Sequence, residues 1–115
     1  MKIVVTGCCG FIGSHLCEKL LNEGNEVYGI DIINDYYNIR QKLDNLKILK
    51  KYKNFHFYKE NIIDTKIIAL IKPEKVVHLA AMAGVRYSLE NPQLYMRTNV
   101  EGQTNLLKQC VENNV

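Results

Sequence analysis

The first thirteen residues, MKIVVTGCCGFIG, constrain the fold more than any other stretch. Ile3, Val4 and Val5 make a β-branched apolar run that suits a strand buried on both faces. The run stops at Thr6-Gly7, and glycines then fall at every third position: Gly7, Gly10 and Gly13. Phe11, Ile12, Leu16, Leu20 and Leu21 follow at helical spacing. Strand, glycine turn and helix, in that order, are the context in which a glycine motif carries information. Gly7 lets the chain leave the strand sharply. Gly10 removes a side chain where a pyrophosphate must approach the backbone, and Gly13 lets helix and strand pack closely. The helix N-terminus offers unpaired N–H groups and a partial positive charge to phosphates. The spacing is G-x-x-G-x-x-G rather than G-x-G-x-x-G. Gly13 stands before Ser14, where a Walker A loop needs a lysine, so that class is excluded.

The helix is predicted from Phe11 to Glu23, ending at Gly24. A second strand follows over Glu26 to Asp31. In dinucleotide folds an acid roughly 20 residues beyond the glycines accepts hydrogen bonds from the adenosine ribose. Asp31 fits that role, and its charge would repel a 2′-phosphate, favouring NAD over NADP. The connection from Ile32 begins polar (Asn34, Asp35, Tyr36, Tyr37, Asn38) and then reads as a helix carrying Leu43, Leu46, Ile48 and Leu49. Phe55, Phe57 and Tyr58 predict a third strand ending near Lys59. After the loop Asn61-Ile62-Ile63-Asp64, Asp64 is the expected N-cap of a short helix holding Ile67, Ile68, Leu70 and Ile71, which Pro73 stops. The fourth strand, Lys75 to Leu79, runs into Ala80, Ala81, Ala83 and Gly84, small residues that leave room for a ligand. Asn91 as cap and Pro92 at the first helical position predict a helix to about Glu112, with Leu94, Val100, Leu106, Leu107 and Val111 as its apolar markers. Gly102 lies inside it at a cost of roughly 1 kcal/mol against alanine, so a strand or a cofactor should approach closely there.

The alternation is β-α-β-α-β-α-β-α. Right-handed crossovers make it an α/β, Rossmann-type doubly wound parallel sheet of order 3-2-1-4, truncated before a fifth strand. At 115 residues, 47% apolar and 23% charged, the chain is one domain or less. Its net charge of +3 is interspersed and gives no argument for nucleic acid. Lys47, Lys50, Lys51 and Lys53 suit a helix C-terminus. Cys8, Cys9, Cys17 and Cys110 lack C-x-x-C spacing, which argues against a disulfide framework or zinc site and for a reducing, cytoplasmic setting. No stretch reaches the ~18 apolar residues of a membrane span, and the N-terminus reads poorly as a signal peptide.

TGCCGFIGSHL, Asp31, VVHLAAMAGVRYSLENP and TNVEGQTNLL together resemble the extended short-chain dehydrogenase/reductase family of NAD-dependent sugar-nucleotide epimerases and dehydratases. DIINDYYNIRQKLDNLK and AAMAGVRYSLENPQLY are most similar to UDP-glucuronate 4-epimerases. The similarity covers nearly the whole chain. It implies NAD contacts from Gly7, Gly10, Phe11, Ile12, Gly13 and Asp31, with Asn34 beside the ribose. Asn61 and Ile62 would meet the adenine, Asn61 standing where the family carries an aspartate. Leu79, Ala80 and Ala81 would line the nicotinamide-ribose side, and Asn99 matches an Asn-x-x-Gly helix motif completed by Gly102. Arg86, Tyr87 and Ser88 would fall on the loop that faces a sugar nucleotide, UDP-linked in this subfamily, and the family's last helix helps form its dimer, so a homodimer is a further expectation.

The resemblance implies oxidation at the sugar 4-position by hydride transfer to NAD, rotation of the keto intermediate, and reduction on its other face. A tyrosine activated by a lysine at spacing Tyr-x-x-x-Lys removes the hydroxyl proton. None of Tyr28, Tyr36, Tyr37, Tyr52, Tyr58, Tyr87 and Tyr95 is followed four places on by lysine. The expectation is therefore a partial NAD-binding domain over residues 1–115, with the acid–base pair and sugar-nucleotide domain absent and no turnover by the chain alone. A truncated non-catalytic NAD-binding module and a 4,6-dehydratase fragment are the alternatives. A flavin or NADP protein is opposed by the glycine spacing and Asp31.

Overall fold

A computed structural model describes residues 1–35 and 38–115. Tyr36 and Tyr37, from the polar start of the second connection, lie outside the described residues. The chain runs β1 (Lys2–Thr6), α1 (Phe11–Asn22), β2 (Glu26–Ile30), α2 (Ile39–Leu49), β3 (Phe55–Tyr58), α3 (Ile67–Ile71), β4 (Lys75–His78), α4 (Val85–Glu90) and α5 (Pro92–Met96). A π-helical stretch, Arg97–Glu101, then leads into α6 (Gly102–Glu112). The sheet is parallel throughout and ordered β3-β2-β1-β4, as the alternation predicts.

Central β1 is buried on both faces, which is why it reads as a continuous apolar run. Ile3 and Val5 pack with Cys17, Leu21, Leu46 and Leu49 from α1 and α2. Val4 points the other way, into a second core with Ile62, Ile67, Ile68 and Leu106. Register pairs Val4 with Tyr28 on β2 and with Val76 on β4. The period of two along a strand separates these two cores.

Several boundaries differ from the sequence prediction. β2 stops at Ile30 and β4 at His78, so Asp31 and Leu79 already belong to the loops beyond the strand ends. Asp64 does not cap α3. Lys66 holds the cap position, and the Thr65 hydroxyl accepts from the N–H of Ile67 at 3.2 Å. Asn91 gives α5 no side-chain cap. Its amide donates back to the carbonyl of Tyr87 (3.4 Å), although Pro92 does sit at the start of the helix. The short helix α4, read as loop from the sequence, carries Arg86, Tyr87 and Ser88. The helix expected from Pro92 to Glu112 is interrupted by its π-helical stretch. Of its apolar markers only Leu106 is buried, while Leu94, Val100, Leu107 and Val111 are exposed.

Gly102 is required by the side chain of Ile62 rather than by a strand. A Cβ there would lie 2.6 Å from Cδ1 and 2.7 Å from Cγ1 of Ile62, a side chain already buried among Leu106 and Ile67. Gly102→Ala should therefore cost about 1–2 kcal/mol by overpacking, even after its gain in helix propensity. Trimming the neighbour with Ile62→Val should recover part of that loss. A double-mutant cycle in denaturant checks it, and strictly additive effects would show that the two residues do not press on each other.

Candidate functional site

The turn after β1 is built by backbone geometry. Gly7 sits at φ +71°, and its N–H donates to the carbonyl of Ile30 at 2.8 Å. A Cβ on Gly7 would lie 2.9 Å from the backbone nitrogen of Ala80. One glycine thus serves both the turn and the approach of the segment after β4. Gly10 N–H closes the turn onto the carbonyl of Gly7 (3.1 Å), and Gly10 then occupies the N-cap of α1. The N–H groups of Phe11, Ile12 and Gly13 follow in the first helical turn, where helix geometry supplies no intrahelical acceptor. The side chains of Phe11 and Ile12 are exposed and do not line the cleft, and being apolar they leave only the backbone to serve an anion. The α2 residue Asn45 fixes the turn by donating to the carbonyl of Cys9 at 2.9 Å.

Beyond β2, Asp31 is buried with its carboxylate anchored on three sides. Oδ2 accepts from Cys9 N–H (3.1 Å), Oδ1 accepts from Ile33 N–H (2.8 Å), and the ammonium of Lys42 lies 3.8 Å from Oδ1. Lys42 also donates to Oδ1 of Asn34 at 2.9 Å. Ile33, between Asp31 and Asn34, takes φ +52°, a costly conformation for a β-branched residue.

The opposite wall comes from the ends of β3 and β4. Asn61 accepts from Ile63 N–H, and Asn105 of α6 donates to the carbonyls of Ile62 (2.8 Å) and Thr65 (3.2 Å). Buried Gln109 adds a bond to the Thr65 carbonyl at 2.7 Å. The amides of α6 therefore hold the loop that carries Asn61 and Ile62. After β4, the Thr6 hydroxyl accepts from the N–H groups of Leu79 (3.0 Å) and Ala80 (3.1 Å). Its remaining proton goes to Nδ1 of His78, 2.6 Å away. His78 Nδ1 is then an acceptor, which fixes the neutral imidazole.

Burial lowers the pKa of His78 below its ordinary value of 6.5, in the same direction as this hydrogen bond. The unfolded chain accordingly binds more protons on this group than the folded one. Its contribution to stability is complete above about pH 6.5 and declines as the pH falls below that value. An NMR titration of His78 should give a midpoint under 6.5. A midpoint above it would mean that Nδ1 carries the proton and that Thr6 is bonded otherwise.

Gly7, Gly10, Asp31, Asn34, Asn61, Ile62, Leu79, Ala80 and Ala81 thus come together on one cleft at the C-terminal edge of the sheet. Phe11, Ile12, Gly13, Asn99, Arg86, Tyr87 and Ser88 do not line it. Asn99 is differently employed. Its Oδ1 accepts from Met82 N–H (2.8 Å) and its Nδ2 donates to the Met82 carbonyl (2.9 Å), clamping the loop beyond β4 from the π-helical stretch. The sequence reading did not place Ile30, Ile32, Lys42, Glu60, Met82 and Thr98 in the lining. Lys42 carried a usable signal: it falls on the buried stripe of α2 with Leu46 and Leu49.

Cys8, Cys9 and Asp31 gather closely enough to suggest metal ligands, but their chemistry opposes it. The Cys8 and Cys9 sulfurs lie 3.8 Å apart in hydrogen-bond contact. That bond first, and burial second, push the Cys8 thiol far up. Burial likewise pushes Cys17 up to about 12. Cys8 is held as a thiol, whereas metals bind thiolates, and both Asp31 oxygens already hold backbone N–H groups.

A doubly wound parallel sheet with a glycine turn and a buried acid at its C-terminal edge defines a dinucleotide-binding class of protein. Residues 4–115 match the family described as GDP-mannose 4,6 dehydratase, and the chain belongs to that family. It is 51% identical over 112 residues to protein CapI of Staphylococcus aureus, covering 94% of this chain and 33% of that protein. It is 45% identical over 109 residues to a UDP-glucuronate 4-epimerase of Thermodesulfobacterium geofontis, covering 91% and 34% respectively. Among solved structures it is similar to the UDP-glucuronic acid 4-epimerase of Bacillus cereus in complex with UDP-glucuronic acid and NAD. There the TM-score is 0.87 at 40% identity, over 96% of this chain and 36% of that one. The chain spans about a third of the length of the curated relatives it matches. Among the described residues no helix is long and apolar enough to cross a membrane.

Proposed function

We propose that this chain is the NAD-binding portion of a sugar-nucleotide 4-epimerase of the UDP-glucuronate type. The observation that carries the reading is that Asp31 lies buried in the same cleft as Gly7 and Gly10, its carboxylate held by the glycine turn itself. The turn supplies N–H groups for a pyrophosphate, and the acid accepts from ribose hydroxyls and repels a 2′-phosphate. NAD, when bound, supplies a hydride acceptor that later returns the hydride. Asn61 and Ile62 serve the adenine, and Leu79, Ala80 and Ala81 line the nicotinamide-ribose side. Asn99 serves indirectly, by holding Met82. Arg86, Tyr87 and Ser88 face the sugar nucleotide from α4, and a guanidinium there suits an anionic substrate.

No tyrosine of this chain is followed four places on by lysine, so the chain alone is expected to bind NAD without turning over. The exposed Val100, Leu107 and Val111 suit self-association through the last helix. A sugar-nucleotide 4,6-dehydratase is the second reading, favoured by the description of the matched family. The test is to supply the chain with UDP-glucuronate and saturating NAD and to follow the sugar by NMR. Background conversion is expected. Measurable epimerisation would show that this chain holds an acid–base pair of its own.

A further inference from the structure

We propose that Lys42 is a positioning residue for the adenosine ribose, acting through Asp31 and Asn34. This rests on the dinucleotide reading above. The side chain of Lys42 is 8% exposed, on the face of α2 that otherwise presents Leu46 and Leu49 to the core. Exchanging Lys42 alone for an apolar residue would leave the buried Asp31 carboxylate without its cation and is expected to cost stability. The charge is tied to Asp31 and Asn34, both of which line the cleft.

The acceptor accounting at Asp31 is specific. A carboxylate offers about four lone-pair sites. Cys9 N–H takes one on Oδ2 and Ile33 N–H takes one on Oδ1. At 3.8 Å, Lys42 holds the carboxylate by charge and lies beyond hydrogen-bond range. One acceptor site on each oxygen remains for the two hydroxyls of a ribose. Lys42 acts on Asn34 by a different route. Lysine only donates, so the amide of Asn34 must turn its oxygen to Nζ (2.9 Å), which turns its NH₂ to the cleft, where Nδ2 also donates weakly to Sδ of Met82 (3.8 Å). The αL turn at Ile33 sets Asn34 within reach of Lys42. One buried cation thus orients both an acceptor and a donor at the ribose end.

The test compares dissociation constants for NAD and for its 2′-deoxyadenosine analogue, on the full chain and on Lys42→Met. The wild type should prefer NAD by about tenfold or more, the worth of one hydroxyl donating to a charged acceptor. Lys42→Met should weaken NAD by roughly that factor and leave the deoxy analogue within about twofold, so that the preference collapses. Equal weakening of both dinucleotides would make Lys42 merely structural and overturn the proposal. A wild type that binds both equally would also overturn it while leaving the cofactor reading intact. A wild type that binds neither would remove the cofactor reading itself. Should Lys42→Met fail to fold, Asn34→Ala decides: a preference reduced severalfold supports the relay, and an unchanged preference overturns it.

Discussion

Gly13→Ala should be the most damaging single methyl group that can be added to this chain. A Cβ at that position would lie 2.0 Å from the carbonyl oxygen of Gly7, 2.9 Å from its carbonyl carbon and 3.1 Å from the Cα of Cys8. All three are backbone atoms of the glycine turn, and none can rotate away as a side-chain tip can. Relief requires α1 to move off β1, which opens the core formed by Cys17, Leu21 and Val5. The cost should be about 3 kcal/mol or more, a large part of the 5–15 kcal/mol that holds a typical domain together. Gly24→Ala is the control. It meets nothing within 4 Å and pays only for its φ of +89°, a cost of about 1 kcal/mol. Denaturant midpoints of the two variants should differ accordingly, and equal losses would mean that α1 does not sit on the turn as described.

Asp31→Ala should lower stability by about 3–5 kcal/mol, besides removing the ribose acceptor. The acid is buried and takes two backbone N–H groups. Its loss also leaves the ammonium of Lys42 in the interior without its carboxylate. Asp31→Asn keeps the volume and one oxygen, and should lose less. Burial and two backbone N–H bonds make the removal of Asp31 a fold defect as well as a ligand defect. Its role toward a ligand is better read with Asp31→Asn, or with a ligand lacking a hydroxyl. A stability change under about 1 kcal/mol for Asp31→Ala would contradict the buried ion pair.

The parts legible in the sequence were those set by local periodicity and turn chemistry. Ile3-Val4-Val5 before Gly7 announces a doubly buried strand, and the alternation of elements then leaves few topologies open. Asp31 was legible because it closes a strand at a fixed remove from the glycines. The misses have physical causes. α4 spans Val85–Glu90, too short for an apolar period to emerge. The π-helical stretch shifts the phase of the last helix. Gly102 and Gln109 are buried beside Leu106 while Leu107 and Val111 face outward, and no residue type announces that shift. It also aims Asn99 at the backbone of Met82, a role the Asn-x-x-Gly spacing does not state. Lys42 escaped notice because a lysine among lysines reads as surface; only its phase with Leu46 and Leu49 gives it away. Thr6 looked like the end of a strand, yet its hydroxyl organises the start of the loop after β4.

The central claim is that this cleft holds NAD. Amide NMR of the chain during titration with NAD tests it most directly. The predicted result is saturable shifts at one NAD per chain, concentrated in Gly7–Gly13, Asp31–Asn34 and Leu79–Met82. Absence of shifts at large excess of NAD, or shifts gathered on another face of the sheet, would contradict it.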